Sequence, residues 1–153
     1  MTDDIVTTSE LPTAPAAVWA RIASVAGVNH ELRPWMRMTA PRGEELSIER
    51  APLGRRWFRS WVLLLGVIPF DYDDLCLERI EPGRGFYERS AMLSARVWEH
   101  ERTLEPLADG GTRVTDRVAF EPRIPGSARL HRAVIAAIFR HRHRRLRSWS
   151  ATA

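Results

Sequence analysis

At 153 residues the chain is long enough for one domain with a single core, and its 44% hydrophobic and 27% charged residues exclude an intrinsically disordered segment. The lone cysteine, Cys76, excludes an internal disulfide framework and suits a reducing compartment. The net charge is +4, but all 19 acids lie at or before Glu121, so the eight arginines from Arg123 onward are unopposed and the residues before them are net negative.

Taken in order, residues 4–11 alternate and are β-branched, which predicts a first strand. A helix follows with Pro15 in its first turn and Val18, Trp19 and Ile22 on one side, and Gly27 is expected to stop it. A second short helix is predicted from Val28 to Arg33, before Pro34. MRMTAP and ELSIERAP are short alternating pieces separated by a turn at Arg42-Gly43. Residues 55–66 have turn-by-turn aromatics that fit a helix, yet their Trp, Phe and Val content favours strand, and strand is the expectation.

Tyr72 to Ile80 reads as strand, and turns at Pro82-Gly83-Arg84-Gly85, Ser94-Ala95 and Asp109-Gly110-Gly111 divide the rest into an antiparallel meander. Pro122 and Pro125 end it. Ser127 is placed to cap a long closing helix over residues 127–149. On that helix Leu130, Val134 and Ile138 form one apolar seam, and Ile135, Phe139, Leu146 and Trp149 a neighbouring one that passes through Arg142. Its first half reads as the apolar rod and its second half as a basic exit, with Arg142 either snorkelling outward or meeting an acid from the sheet.

The run Trp61 to Phe70 falls short of the roughly 20 residues of a membrane span and is broken by Gly66 and Pro69. The opening MTDDIVTTSEL carries acids and has no apolar signal core, so a cytoplasmic protein is expected.

This order of elements resembles the START-like or SRPBCC superfamily, of helix-grip and polyketide cyclase-like proteins, in particular its bacterial members without assigned function. The phrases that carry the likeness are LPTAPAAVWARIAS, SWVLLLGVIPFDYDDL, RVWEHERTLEPLADGGTRVTDRVAFEPR and LHRAVIAAIFRHRHRRLR, which together span nearly the whole chain. The resemblance implies an α+β helix-grip fold over residues 1–153. In it a curved antiparallel sheet of about seven strands wraps a long C-terminal helix, with two short helices after the first strand. It also implies a hydrophobic small-molecule ligand (lipid, polyketide or quinone-like) between sheet and helix, with no cofactor. A polyketide cyclase or aromatase activity is the first alternative. An interaction module using the arginine-rich helix is the second.

Strand alternation then names the candidate lining. Glu88, Ser90 and Met92 share one face, Trp98, His100 and Arg102 another, and Val114, Asp116, Val118 and Phe120 a third. If register brings these together, the wall carries Glu88, His100, Arg102 and Asp116. His100 beside a carboxylate could act as acid or base, but pairing across strands is the preferred reading. His30 and Arg33, with Asn29, Glu31 and Trp35, would border the cavity mouth. Asp71, Asp73 and Asp74 invite a metal, but a solvated strand start is preferred. His141 and His143 are two apart on a helix and cannot share one zinc ion, so no metal site is expected. For Arg140 to Arg147, solubility and the helix dipole are preferred over nucleic acid or a membrane surface.

Overall fold

A computed structural model describes residues 4–42 and 46–153. Strand β1 (Ile5–Leu11) is followed by helices α1 (Pro15–Ile22) and α2 (Val25–Leu32), then strands β2 (Met36–Met38), β3 (Arg56–Leu64), β4 (Ile68–Glu81), β5 (Gly85–Met92), β6 (Ala95–Pro106) and β7 (Thr112–Pro122), and last helix α3 (Ala128–Thr152). The seven strands make one curled antiparallel sheet in the order β1-β7-β6-β5-β4-β3-β2. The first strand joins the last, which bends the meander round the C-terminal helix.

Within residues 55–66 the chain is strand over Arg56–Leu64, and the turn at Leu65 sends it back along β4. The segment read as ELSIERAP differs from expectation: Ile48–Arg50 is a single 3-10 turn, started by Ser47, whose hydroxyl accepts the Glu49 N–H. The Arg42-Gly43 turn and the first residue of that segment fall partly outside the described residues. Helix α2 begins three residues before the expected Val28, because the Ser24 hydroxyl accepts the Gly27 N–H and caps it. Gly27 therefore lies inside α2, where a Cβ would sit 1.7 Å from the Arg21 carbonyl oxygen.

The two halves of α3 do not divide as the seams suggested. Leu130 and Val134 are 71% and 47% exposed, whereas Ile135, Phe139, Arg142, His143, Leu146 and Ser150 are buried. Ile135 and Phe139 pack with Ile5, Val118 and Phe120; Leu146 packs with Leu11, Val18, Ile22 and Val114. The sheet thus grips the helix along its whole length, including the part read as a basic exit. Ser127 does not cap with its side chain, since its hydroxyl donates to the Ile124 carbonyl instead.

Candidate functional site

The hairpin turns fix the register of β5, β6 and β7, and with it the inner wall. Glu88 lies opposite His100, Ser90 opposite Trp98, Trp98 opposite Phe120, His100 opposite Val118, and Arg102 opposite Asp116. Period-2 alternation puts all of these side chains on the concave face, under α3. Next to them β4 contributes Asp73, paired with Ser60 on one side and Met92 on the other.

The deepest group is Asp116, which is fully buried and receives four N–H bonds. Its Oδ1 accepts His100 Nε2 and Arg102 Nε, and its Oδ2 accepts Arg102 Nη2 and His143 Nε2, all at 2.7 Å. A carboxylate offers about four lone-pair sites, so Asp116 is saturated. Arg102 also forks onto Glu31 of α2, Nη1 to Oε2 at 3.0 Å and Nη2 to Oε1 at 2.9 Å. Arg142 of α3 donates to the same Glu31 Oε1 at 3.2 Å. Strand, first-half helix and closing helix are therefore tied by one buried network. Burial alone would raise both carboxyls, but Arg102 with His100 and His143 holds Asp116 well below the usual range, and Arg102 with Arg142 holds Glu31 below it.

Toward the cavity the pattern changes. Glu88 Oε1 accepts the Ser90 hydroxyl at 2.8 Å, and its Oε2 lies 3.8 Å from His100 Nδ1. Asp73 is buried beside Glu88 with no cation paired to it among the described residues, so burial and the Glu88 charge push its carboxyl well above the ordinary range, while the His100 contact and the bond to Asp73 keep Glu88 low despite burial. The opposite shifts favour Asp73 over Glu88 as the site of any proton the pair carries. Asp73 Oδ1 is buried without a hydrogen-bond partner among the described residues.

These groups line one end of a cavity of about 180 Å³ between the sheet, α2 and α3. The remaining walls are mostly apolar, with Val28, Leu32, Met38, Val62, Trp98 and Phe139 among them, interrupted by Ser24, Thr39 and Ser60. Arg142 completes the lining, its guanidinium 4.9 Å from the Phe139 ring. The site can therefore enclose a small, mostly apolar body beside the Asp73 and Glu88 carboxyls.

The domain-of-unknown-function family DUF8410 matches residues 9–149. The chain belongs to this family. No curated protein matches this DUF8410 chain. Among solved structures it is similar to protein CV1439 from Chromobacterium violaceum, at 14% identity and TM-score 0.72, over 97% of this chain and 98% of that one. It is similar also to a START superfamily protein from Mycobacterium smegmatis, at 9% identity and TM-score 0.69, over 99% of each. A third is Ara h 8.0201, at 15% identity and TM-score 0.65, over 98% of each. The DUF8410 chain has the START-like, helix-grip fold that these structures share.

Of the residues singled out in the DUF8410 sequence, Glu88, Trp98 and His100 line the cavity. Ser90 holds Glu88 from behind, Arg102 and Asp116 form the network beneath, and Val118 and Phe120 pack against Ile135 and Phe139. His30 and Arg33 do not line it: Arg33 is exposed, and the two offer backbone carbonyls to Arg145 and His141 of α3. Their neighbour Glu31 turns inward instead. Asp71 and Asp73 are buried, not solvated; Asp71 accepts the Ser94 hydroxyl and the Ser94 N–H. Among the described residues no group of three or more His, Cys, Asp or Glu is placed to hold a metal ion. Cys76 is half-buried, and burial and the neighbouring Glu78 push its thiol up, away from the thiolate form. Ser9 was missed outright; Glu31, Asp73, Arg142 and His143 were named, but not as members of the buried polar groups that the structure assembles. Asp73 left a signal, its period-2 match to the buried-face residues of β4. Arg142 meets an acid, but from α2 and not from the sheet.

Proposed function

We propose that the protein binds a compact, mostly apolar small molecule carrying a hydroxyl group, oriented by Asp73 and Glu88. The supporting observation is a mostly apolar cavity lined by the buried Asp73 and Glu88 carboxyls, with Asp73 Oδ1 lacking a hydrogen-bond partner among the described residues. With the proton of the pair directed to Glu88, this oxygen is a bare acceptor, suited to a ligand O–H and ill suited to a ligand carboxylate. Volume limits the choice. An engineered protein cavity of about 150 Å³ holds benzene, so about 180 Å³ suits one or two rings or a short chain, the quinone-like end of the range, better than a whole lipid. At about 24 cal/mol per Å³, filling such a space is worth roughly 4 kcal/mol, or about a thousandfold in affinity.

The cyclase alternative has less support from the geometry. His100 lines the cavity, but its Nε2 is engaged by Asp116 and its Nδ1 faces Glu88, so neither ring nitrogen is turned to a substrate. The basic-helix module has less still, since Arg142, Arg145 and Arg147 are spent on Glu31, the His30 carbonyl and Ser9.

The test uses two probes of matched shape, 2-naphthol and 2-methylnaphthalene, titrated by NMR chemical shifts. The naphthol is expected to bind about tenfold more tightly, the worth of one buried hydrogen bond. Asp73→Leu is expected to erase that difference and retain the methylnaphthalene. Failure of both probes to bind would sink the cavity reading; equal binding would sink only the role of Asp73.

A further inference from the structure

The tip of the β3–β4 hairpin carries side chains that neither the core nor the cavity uses. Trp35, Leu64, Leu65, Val67, Ile68 and Phe70 are all exposed, Val67 at 73%, Leu65 at 57% and Trp35 at 55%. They adjoin one another: Leu64 pairs with Ile68 across the turn, and the Leu65 N–H donates to the Trp35 carbonyl. Chance exposure scatters large apolar side chains singly, whereas a contiguous group marks a contact surface.

The backbone points the same way. Leu65 has φ 53°, the left-handed conformation that glycine or asparagine adopts readily and a leucine does not. An asparagine would serve the turn better and keep it wet. A leucine held there with its side chain outward serves something beyond the turn.

Charge selects the occupant. No acidic residue occurs at 32–42, 50–70 or 122–153. Arg33 and Arg37 flank Trp35, Arg37 lying opposite Leu63 of β3, and Arg140 adjoins His141, whose ring bonds the Arg33 carbonyl. These arginines, with Arg144 one turn on, are exposed and make no ion pair among the described residues, whereas Arg56, Arg59, Arg79, Arg89, Arg96, Arg113 and Arg117 each meet an acid. Arg42, Arg50, Arg55, Arg84 and Arg129 are likewise exposed without an ion pair among the described residues, so it is the company of the apolar tip, not the lack of a partner, that sets Arg33 and Arg37 apart.

We infer that the hairpin tip docks on an anionic lipid bilayer, with Leu65, Val67 and Ile68 entering the interface and Arg33, Arg37 and Arg140 meeting the headgroups. Apolar insertion and headgroup attraction reinforce each other in such a surface, each too weak to anchor alone. The same end carries Met36, Met38 and Val62, whose positions on β2 and β3 connect the tip to the cavity wall. The inference does not depend on which ligand the cavity takes.

The test is cosedimentation with vesicles of phosphatidylcholine and phosphatidylserine in equal parts, and with phosphatidylcholine alone. The wild type is expected to bind the mixed vesicles, and more weakly the neutral ones. Leu65→Asn with Val67→Glu is expected to weaken binding to both by about tenfold or more, while the protein melts no earlier than the wild type, because asparagine relieves the left-handed turn. Arg33→Gln with Arg140→Gln is expected to lose most of the preference for the anionic vesicles, about fivefold per charge. No sedimentation of the wild type, or binding unchanged in the Leu65/Val67 variant, would overturn the inference. So would a wild-type dimer that this variant converts to monomer with no vesicle binding, which would give the tip to a second copy of the chain.

Discussion

Asp116 and Asp73 stand on the same curved wall, both buried, and resolve that burial in opposite ways. Asp116 lies where β6, β7 and α3 converge and takes four N–H donors, a guanidinium among them, so it keeps its charge. Asp73 has another carboxyl beside it and no paired cation among the described residues, so its carboxyl is pushed well above the ordinary range, toward the neutral form, and one oxygen has no partner among them. Burial by itself does not decide the state of a carboxyl; the donors around it do. A saturated carboxylate has nothing to offer a ligand and belongs to the fold. An unsaturated one at a cavity wall costs the fold something and can be repaid only by what enters.

The largest effect should come from breaking the saturated node. Asp116→Ala leaves the Arg102 guanidinium facing Glu31 alone and strips partners from His100 and His143, all in the interior. Removing one partner of a buried ionic network costs about 3–5 kcal/mol. Urea denaturation should show a loss of this size, a large share of the roughly 5–15 kcal/mol that holds a domain folded. Asp73→Asn, which imitates the protonated acid, should show no such loss. A mild effect at Asp116 would mean that the network is not what ties α2 and α3 to the sheet.

A second contrast is in pH. Asp116 and Glu31 are held below their ordinary values of 3.8 and 4.5, so the stability they contribute is present above those values and lost as pH falls through the lower folded ones. Asp73 has the opposite sign. Its folded value is raised, so its contribution is fully present below 3.8 and is lost as pH rises through the raised value. Wild type and Asp73→Asn should therefore match near pH 3.8, with the variant gaining as the solution becomes more alkaline. Urea midpoints across that range measure the difference. A wild type that gains on the variant with rising pH would show that Asp73 is charged in the folded protein.

The contrast also separates what the sequence could reveal from what it could not. Turns at Pro82–Gly85 and Asp109–Gly111 divide the meander, and strict alternation then brings Glu88, His100, Arg102 and Asp116 to one wall, so both the sheet and its central polar residues were legible. The phase of α3 was legible in part: the seam through Ile135, Phe139, Arg142 and Leu146 is its buried face, while Leu130 and Val134 of the other seam are exposed. Its inward face runs through residues 135, 139, 142, 143, 146 and 150, a regular helical stripe whose polar members count against burial in any hydrophobicity reading. Arg142 and His143 are inside because Glu31 and Asp116 arrive from other elements to meet them, and no local pattern records that. Asp73 was legible only faintly: three acids in four residues look solvated, its period-2 place on β4 points inward, and the strand's pairing with Ser60 and Met92 sets it beside the cavity.

The smallest effect tests how far the saturation of Asp116 reaches. Arg147 can only donate, so the Ser9 oxygen accepts from Arg147 Nη1 at 2.8 Å and its own proton is free for His143 Nδ1, 2.7 Å away. His143 then keeps its proton on Nε2, the nitrogen that Asp116 needs. Ser9→Ala removes the group that selects this tautomer but leaves Asp116 its three other donors. The cost should be about 1 kcal/mol, the worth of one neutral hydrogen bond in the interior. Combined with His143→Phe, the two changes should cost less than their sum, because the second removes the ring that Ser9 orients. Strict additivity would show that Ser9 acts on Arg147 alone, and that the node ends at His143.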